Sequence, residues 1–292
     1  MADVSVVVVT YNALPWLEAC LASVAGLETV VVDHGSTDGT VDLARERFSH
    51  VRVLERENRG LAAGWNAGVA ATSGRYVLLL NSDAWAVGDG VERLTRFADG
   101  HPRAAVVAPR LSNPDGSLQR SVRGFPTLWR LATEYLFLRK LAPRSAALNG
   151  FYGGGFDHDE PRRIDWAMGA VLLVRREAVD EVGPADEAFF LFSEETDWCY
   201  RFAAAGWEVW FDPETEFHHV GGASHGGRMY VENLRGQLRF LAKHRGPAEA
   251  ERARRLLLFG VRLRGVLFPE ERARGYREAA RWLASGDARS LL

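Results

Sequence analysis

Four times in the first third of the chain a short aliphatic run gives way to a helical pattern, and this alternation limits the fold more than any other feature. The run "VSVVVVT", Val4 to Thr10, is continuous and β-branched, as in a strand buried on both faces. The following "NALPWLEACLASVAG" places Trp16, Leu17, Cys20, Leu21 and Val24 at helical spacing, with Asn12 as a cap and Gly26 as a stop. "TVVVD" is a second strand ahead of the turn "GSTDGT" and the helix "TVDLARERF"; "VRVLE" is a third ahead of the glycine-opened helix "NRGLAAGWNAGVAAT"; "YVLLLN" is a fourth. Strands and helices alternating through short connections imply right-handed βαβ units and a mostly parallel sheet flanked by helices. Such an α/β architecture commonly binds nucleotides, but the fold alone does not give the function.

After "AAVVAP" the pattern changes. Residues 110–163 hold Gly, Pro and Arg with one amphipathic patch, "TLWRLATEYLFLRKLAP". Order returns with "DWAMGAVLLVRREAV", a strand running into a helix, then the helix "ETDWCYRFAAAGW" and the strand "EVWFDP"; from Tyr230 onward the pattern is helical and basic. At 292 residues, 47% hydrophobic and 25% charged, the chain has ample core and is neither disordered nor fibrous in composition. Cys20 and Cys199 stand far apart in apolar helical patterns and read as core thiols in a reducing compartment. The start "MADVSVVVVTYN" lacks a basic leader, and no run approaches the roughly 18 apolar residues of a membrane span, so a cytoplasmic protein is expected. The net charge of −2 hides a split: residues 226–292 carry 15 Arg+Lys against 7 Asp+Glu, which leaves 21 against 31 in the rest. An acidic body with a basic tail suggests an anionic surface as partner, and solvated helix faces are the competing explanation.

Polar residues recur at the strand ends: Thr10, Tyr11 and Asn12 after the first, Asp33 after the second, Asn58 and Gly60 after the third, Asn81 and Asp83 after the fourth. Each set alone is ordinary turn chemistry. Together they line one edge, where ligands of open parallel sheets bind. No GxGxxG follows the first strand and there is no GxxxxGK[ST], so neither a Rossmann dinucleotide site nor a P-loop is supported.

The segments "VSVVVVTYNALPWLEACLASV", "VVVDHGSTDGT", "ENRGLAAGWNAGVAATSGRYVLLLNSDA" and "FFLFSEETDWCYRFAAAGW" resemble family 2 inverting glycosyltransferases of the GT-A fold, particularly bacterial rhamnosyltransferase-like members, over roughly Val4 to Gly246. The resemblance implies a catalytic domain over 1–225, with a nucleotide-sugar-binding half at 1–109 and an acceptor half at 110–225, and a basic helical extension at 226–292. It implies that Thr10, Tyr11 and Asn12 with Asp33 hold base and ribose, Asp33 accepting from the pyrimidine N–H, and that Asn58, Gly60, Gly64 and Asn66 lie along ribose and sugar. His34 stands where the family usually has Asn. Packing is the competing explanation for the glycines.

By the same resemblance "NSD", Asn81, Ser82 and Asp83, corresponds to the tripeptide that binds a divalent cation, Mn²⁺ or Mg²⁺, on the donor diphosphate; Asp83 is its chief carboxylate and His219 of "FHHVGGAS" a further ligand. "SEETDWCYR" resembles the segment that carries the general base. That position is Glu195, and Glu194 and Asp197 remain alternatives; acidic residues at a helix start also complement its dipole. Trp166, Met168 and Gly169 would line the acceptor-side sugar pocket. The implied reaction is a single displacement in which the base deprotonates an acceptor hydroxyl and the anomeric centre inverts. The expected donor is a nucleoside diphosphate sugar, dTDP-rhamnose first and a UDP-sugar as alternative, and the expected acceptor is a cell-surface saccharide or lipid-linked glycan, with no nucleic acid among the partners. A degenerate nucleotide-sugar binder without turnover is the non-enzymatic alternative. The tail "RARRLLLFGVRLRGVLF" fits an interfacial helix on the cytoplasmic face of an anionic inner membrane, or a helix packed on the body or on a second subunit as a homodimer.

Overall fold

The computed structural model describes residues 3–221 and 227–291, so the end of "FHHVGGAS", including Ser224, lies outside the described residues. The strands are β1 (Val4–Thr10), β2 (Glu28–Asp33), β3 (Arg52–Glu55), β4 (Tyr76–Asn81), β5 (Ala84–Ala86), β6 (Ala104–Ser112), β7 (Leu118–Gln119), β8 (Val122–Arg123), β9 (Arg162–Arg163), β10 (Trp166–Ala167), β11 (Val171–Arg175) and β12 (Glu208–His219). The helices are α1 (Leu14–Ala22), α2 (Thr40–Arg47), α3 (Leu61–Ala70), α4 (Gly90–Gly100), α5 (Leu128–Tyr135), α6 (Arg176–Val182), α7 (Glu194–Ala204), α8 (Gly227–Arg245), α9 (Pro247–Leu267), α10 (Glu270–Ala284) and α11 (Gly286–Arg289). Two compact units emerge: Met1–Val122 with Asp157–Phe190 and Asp197–Gly221, and Arg123–Phe156 with Leu191–Thr196 and Gly222–Leu292.

The first unit is built on a sheet of order β3-β2-β1-β4-β11-β6-β12-β5. β1 pairs in parallel with β2 and β4, and β2 with β3, as the βαβ alternation requires. β11 enters antiparallel between β4 and β6, β12 runs parallel to β6, and β5 closes antiparallel on β12. Val6, Val7 and Val8 are fully buried because β1 is central and covered on both faces. Val4, Val6 and Val8 join a core with Leu17, Cys20 and Leu21 of α1 and Val91 and Leu94 of α4. On the other face α3 lies directly on β1: a Cβ at Gly68 would stand 2.2 Å from a Val7 methyl, and one at Gly64 2.8 Å from the Val9 methyls.

Two local expectations fail here. Trp16 is 40% exposed, since it sits about 100° around the helix from buried Leu17. Asn12 does not cap α1; it adopts a left-handed φ of 53°, and the first N–H groups are satisfied from the next segment, Ala13 N donating to Thr40 Oγ1 and Leu14 N to Asp38 Oδ2. Both cysteines are buried, and neither forms a disulfide among the described residues.

The second unit is helical. α9 packs with α5, α8 and α10, burying Leu234, Leu238 and Leu241 of α8 and Leu257 and Val261 of α9 with Leu283 of α10. The amphipathic patch after Pro126 forms the short α5 and, past Phe137 at φ 61°, a single 3-10 turn over Leu138–Lys140. Arg264 on α9 is buried against it, donating to Glu134 Oε1 at 3.0 Å and to the Glu134 carbonyl at 2.6 Å. Among the described residues no helix is long and apolar enough to cross a membrane.

Candidate active site

The parallel register brings the strand ends to one edge: Thr10 is opposite Asp33, and Val9 opposite Asn81. Asp33 is 1% exposed and already accepts from the Thr10 and Ser36 hydroxyls on one oxygen and from the Gly35 and Ser36 N–H groups on the other. Its carboxylate therefore shapes the strand-end loop, and a base N–H would have to displace one of these donors. Asn12 belongs to the same network, its Oδ1 accepting from Thr37 N at 2.9 Å and its N–H donating to Ser36 Oγ at 2.8 Å. Tyr11 is the open member, 60% exposed. His34, next to Asp33 in sequence, is buried, and burial lowers its pKa against the opposing charge of Asp33.

After the third strand, Asn58 Oδ1 accepts from Gly60 N. Gly60 has φ 98°, and a Cβ there would overlap the Phe190 carbonyl oxygen at 2.3 Å, so only glycine admits the Leu61 N to Phe190 O bond of 2.8 Å. Asn66 grips the Ala185 backbone from both sides, Nδ2 donating to its carbonyl at 2.9 Å and Oδ1 accepting its N–H at 3.0 Å. Asn66 thus holds the Ala185 backbone, and Gly64 gives room to the Val9 side chain beneath α3.

Asn81 ends β4, and Ser82 and Asp83 form the turn into β5. Because β5 pairs with β12, His219 is opposite Ala84, and its Nε2 stands 3.4 Å from Asp83 Oδ1. The other Asp83 oxygen accepts from Gly221 N. Burial pushes the Asp83 carboxyl up, but the His219 imidazole and the Gly221 N–H outweigh it and hold the group below the ordinary carboxylate range. Gln119 on β7, which the sequence did not single out, fixes the histidine: Gln119 Nε2 donates to Asn113 Oδ1, turning Oε1 to His219 Nδ1 at 2.6 Å. Nδ1 then donates to Gln119, and Nε2 faces the carboxylate. A carboxylate and an imidazole nitrogen in contact suit a shared proton or a cation. Among the described residues no three His, Cys, Asp or Glu side chains gather as a metal centre. A carboxylate and an oriented imidazole nonetheless fit a cation whose remaining ligands come from a substrate diphosphate.

The start of α7 holds the other candidates. Phe192 and Ser193 precede it with φ of 68° and 72°, a costly pair for non-glycine residues. Gly236 of α8 makes room for this corner, since a Cβ there would be 2.6 Å from the Phe192 carbonyl oxygen. Glu194 is 2% and Glu195 7% exposed. Burial, and then the adjacent Glu195 charge, raises the Glu194 pKa well above the usual range. Arg123, half-buried with its guanidinium 5.0 Å from the Tyr152 ring, interacts electrostatically with Tyr152, Glu195 and Glu134. Asp197 is fully buried in the first unit, and its Oδ2 accepts from Arg201 Nε at 2.8 Å. Trp166 Nε1 is buried without a hydrogen-bond partner among the described residues, while Met168 N donates to Ser121 O. Nothing local in the sequence marks Gln119 or Gly236; both act through contacts distant along the chain.

The fold is that of GT-A glycosyltransferases. It is similar to GalNAc-T7 solved with UDP, GalNAc and Mn²⁺ (TM-score 0.61, 17% identity, 82% of this chain and 48% of that one, so under half of that structure is matched). It is also similar to a Pyrobaculum calidifontis mannosyltransferase solved with GDP-Man and Mn²⁺ (TM-score 0.57, 16% identity, 99% of this chain and 82% of that one). The profile of Glycosyl transferase family 2 matches residues 5–158. An N-acetylglucosaminyl-diphospho-decaprenol L-rhamnosyltransferase of Mycobacterium tuberculosis is 33% identical over 238 residues, 75% of this chain and 76% of its own length. The chain belongs to glycosyl transferase family 2 and is a glycosyltransferase, as the sequence motifs led us to expect.

Proposed function

We propose that this glycosyltransferase moves rhamnose from dTDP-rhamnose, with inversion, onto a lipid-linked saccharide acceptor in cell-surface polysaccharide synthesis. The sugar and the acceptor class are supported by the mycobacterial relative, an L-rhamnosyltransferase whose name includes a decaprenol-linked N-acetylglucosamine. The observation that carries the donor-site reading is the Asp83–His219 pair at the strand edge with Gln119 behind it. Asp83 and His219 would hold Mn²⁺ or Mg²⁺, and Asn81 and Ser82 would lie along the diphosphate. When bound, the cation supplies positive charge to the departing nucleoside diphosphate. Thr10, Tyr11, Asn12 and Asp33 form the nucleoside end, Tyr11 by its exposed ring and Asp33 by setting the loop that Asn12 shares.

Glu195 is the base. It removes the proton of the acceptor hydroxyl as that oxygen attacks the anomeric carbon. Glu194 is ill suited because burial beside Glu195 raises its pKa and favours its protonated form, and Asp197 because Arg201 occupies it. The unpartnered Trp166 N–H offers a donor to a sugar hydroxyl, with Met168 and Gly169 beside it in sequence. A lipid-linked acceptor brings the enzyme to a membrane surface, the setting in which a basic C-terminal segment has a partner.

The test is a thermal-shift panel of dTDP, UDP and GDP, each with and without Mn²⁺, since a ligand that binds only the native state raises the melting temperature. A Mn²⁺-dependent shift led by dTDP supports the reading. A lead by UDP changes the donor, and no shift with any of the three overturns the donor site.

A further inference from the structure

The second unit carries an exposed feature that sugar transfer itself does not use. On α9, Phe259, Arg262 and Val266 follow one another at intervals of three and four, so they share one helix face. Phe259 is 62% exposed, Val266 84% and the adjoining Leu267 61%, more than soluble surfaces usually leave open in one place. Beside this face runs an open groove of about 540 Å³, lined by Arg262 of α9 with Arg277, Ala280, Arg281 and Ala284 of α10. Arg277 pairs with Glu270, whereas Arg262 and Arg281 form no ion pair among the described residues. The small alanines leave the groove floor open between the three arginine side chains, whose aliphatic stems line it.

We propose that this α9–α10 face docks on an anionic phospholipid bilayer, with lipid phosphates in the arginine groove and Phe259, Val266 and Leu267 among the acyl chains. Guanidinium groups suit phosphate oxygens, and bulky apolar side chains set among them suit an interface that is charged at its surface and oily just below. A nucleic acid would meet the arginines but leave the three apolar side chains without a partner. A second copy seated on the same face across a twofold axis would set the same arginines against each other. The excess of 15 basic over 7 acidic residues in 226–292 adds long-range attraction to the same surface. The dock rests on the lipid-linked acceptor only for its purpose and is tested apart from it, because vesicle flotation reads no sugar transfer.

The experiment is flotation of the full chain with phosphatidylcholine vesicles, with and without phosphatidylglycerol, at low and high salt. The wild type is expected to float only with phosphatidylglycerol and to be released by salt. R262E/R281E should weaken binding by roughly 25-fold or more, at about fivefold per arginine lost, and F259S/V266S by about tenfold. R262K/R281K, which keeps the charge, should bind within a few fold of the wild type. These side chains are exposed, and an unchanged melting temperature and nucleotide-induced shift identify folded variants. Failure of the wild type to float at low salt, equal flotation on both vesicle types, or wild-type flotation by R262E/R281E would overturn the proposal. So would light scattering that shows a dimer broken by R262E/R281E while flotation is unchanged.

Discussion

Asp83 and Glu194 are both carboxyl groups largely withdrawn from water, and their surroundings drive them in opposite directions. At the strand edge, Asp83 has an imidazole and a backbone N–H for neighbours and is held ionised. At the start of α7, Glu194 has burial and another carboxylate, and both push its pKa up. The difference teaches that burial alone does not assign a role to an acid; the neighbouring charge does. It also bears on the proposed tasks, since a carboxyl with a lowered pKa suits a cation, while one with a raised pKa does not.

The sharpest way to break this comparison is at Glu195. Glu195→Gln should lower the transfer rate by roughly 10²- to 10⁴-fold with the fold retained, whereas Glu194→Gln should cost far less; equal losses in a steady-state assay would remove the distinction. Next in size is Asp83→Asn, which should abolish the Mn²⁺ dependence of nucleotide binding measured by calorimetry. Gln119→Leu should weaken Mn²⁺ binding in the presence of nucleotide by about 10- to 100-fold, since an outer partner fixes the ligand tautomer, and Gln119→Glu should restore most of it. An unaltered Mn²⁺ affinity in Gln119→Leu would show that the histidine needs no such orientation.

The smallest effect is on stability against pH. A group whose folded pKa is raised contributes most below its unfolded pKa, about 4.3 for glutamate, and loses that contribution as pH rises toward the folded value. Glu194→Gln should therefore gain stability over the wild type progressively above that pH in urea titrations, and gain none below it. Asp83 has the opposite sign: its contribution is present at neutral pH and fades as pH falls through its lowered pKa. A wild type and Glu194→Gln with parallel pH profiles would mean that Glu195, not Glu194, carries the shared proton.

Much of the first unit was legible because buried parallel strands announce themselves locally. β1 and β4 form over the same residues, Val4–Thr10 and Tyr76–Asn81, that the aliphatic runs mark. The polar strand ends were legible for the same reason, since a residue that follows a buried strand must stand at the sheet edge. Trp16 and Asn12 misled because spacing alone does not say which side of a helix a neighbouring segment leaves open, nor which side chains will satisfy its first N–H groups. Residues 110–163 read as irregular, yet that stretch holds Gln119, whose value depends wholly on His219, a hundred positions away.

The sequence by itself determined the family, the alternating α/β plan and the residue types at the strand ends, because these follow from local periodicity and contiguous motifs. Only the tertiary structure decided that Asp33 is saturated by four donors, that Asn66 clamps Ala185, that His219 reaches Asp83, and that Glu194 and Glu195 share a buried corner against Gly236. Hydrogen bonds and desolvation act over a few ångströms of space, whatever the distance along the chain, so their partners are chosen only when the sheet and helices have closed.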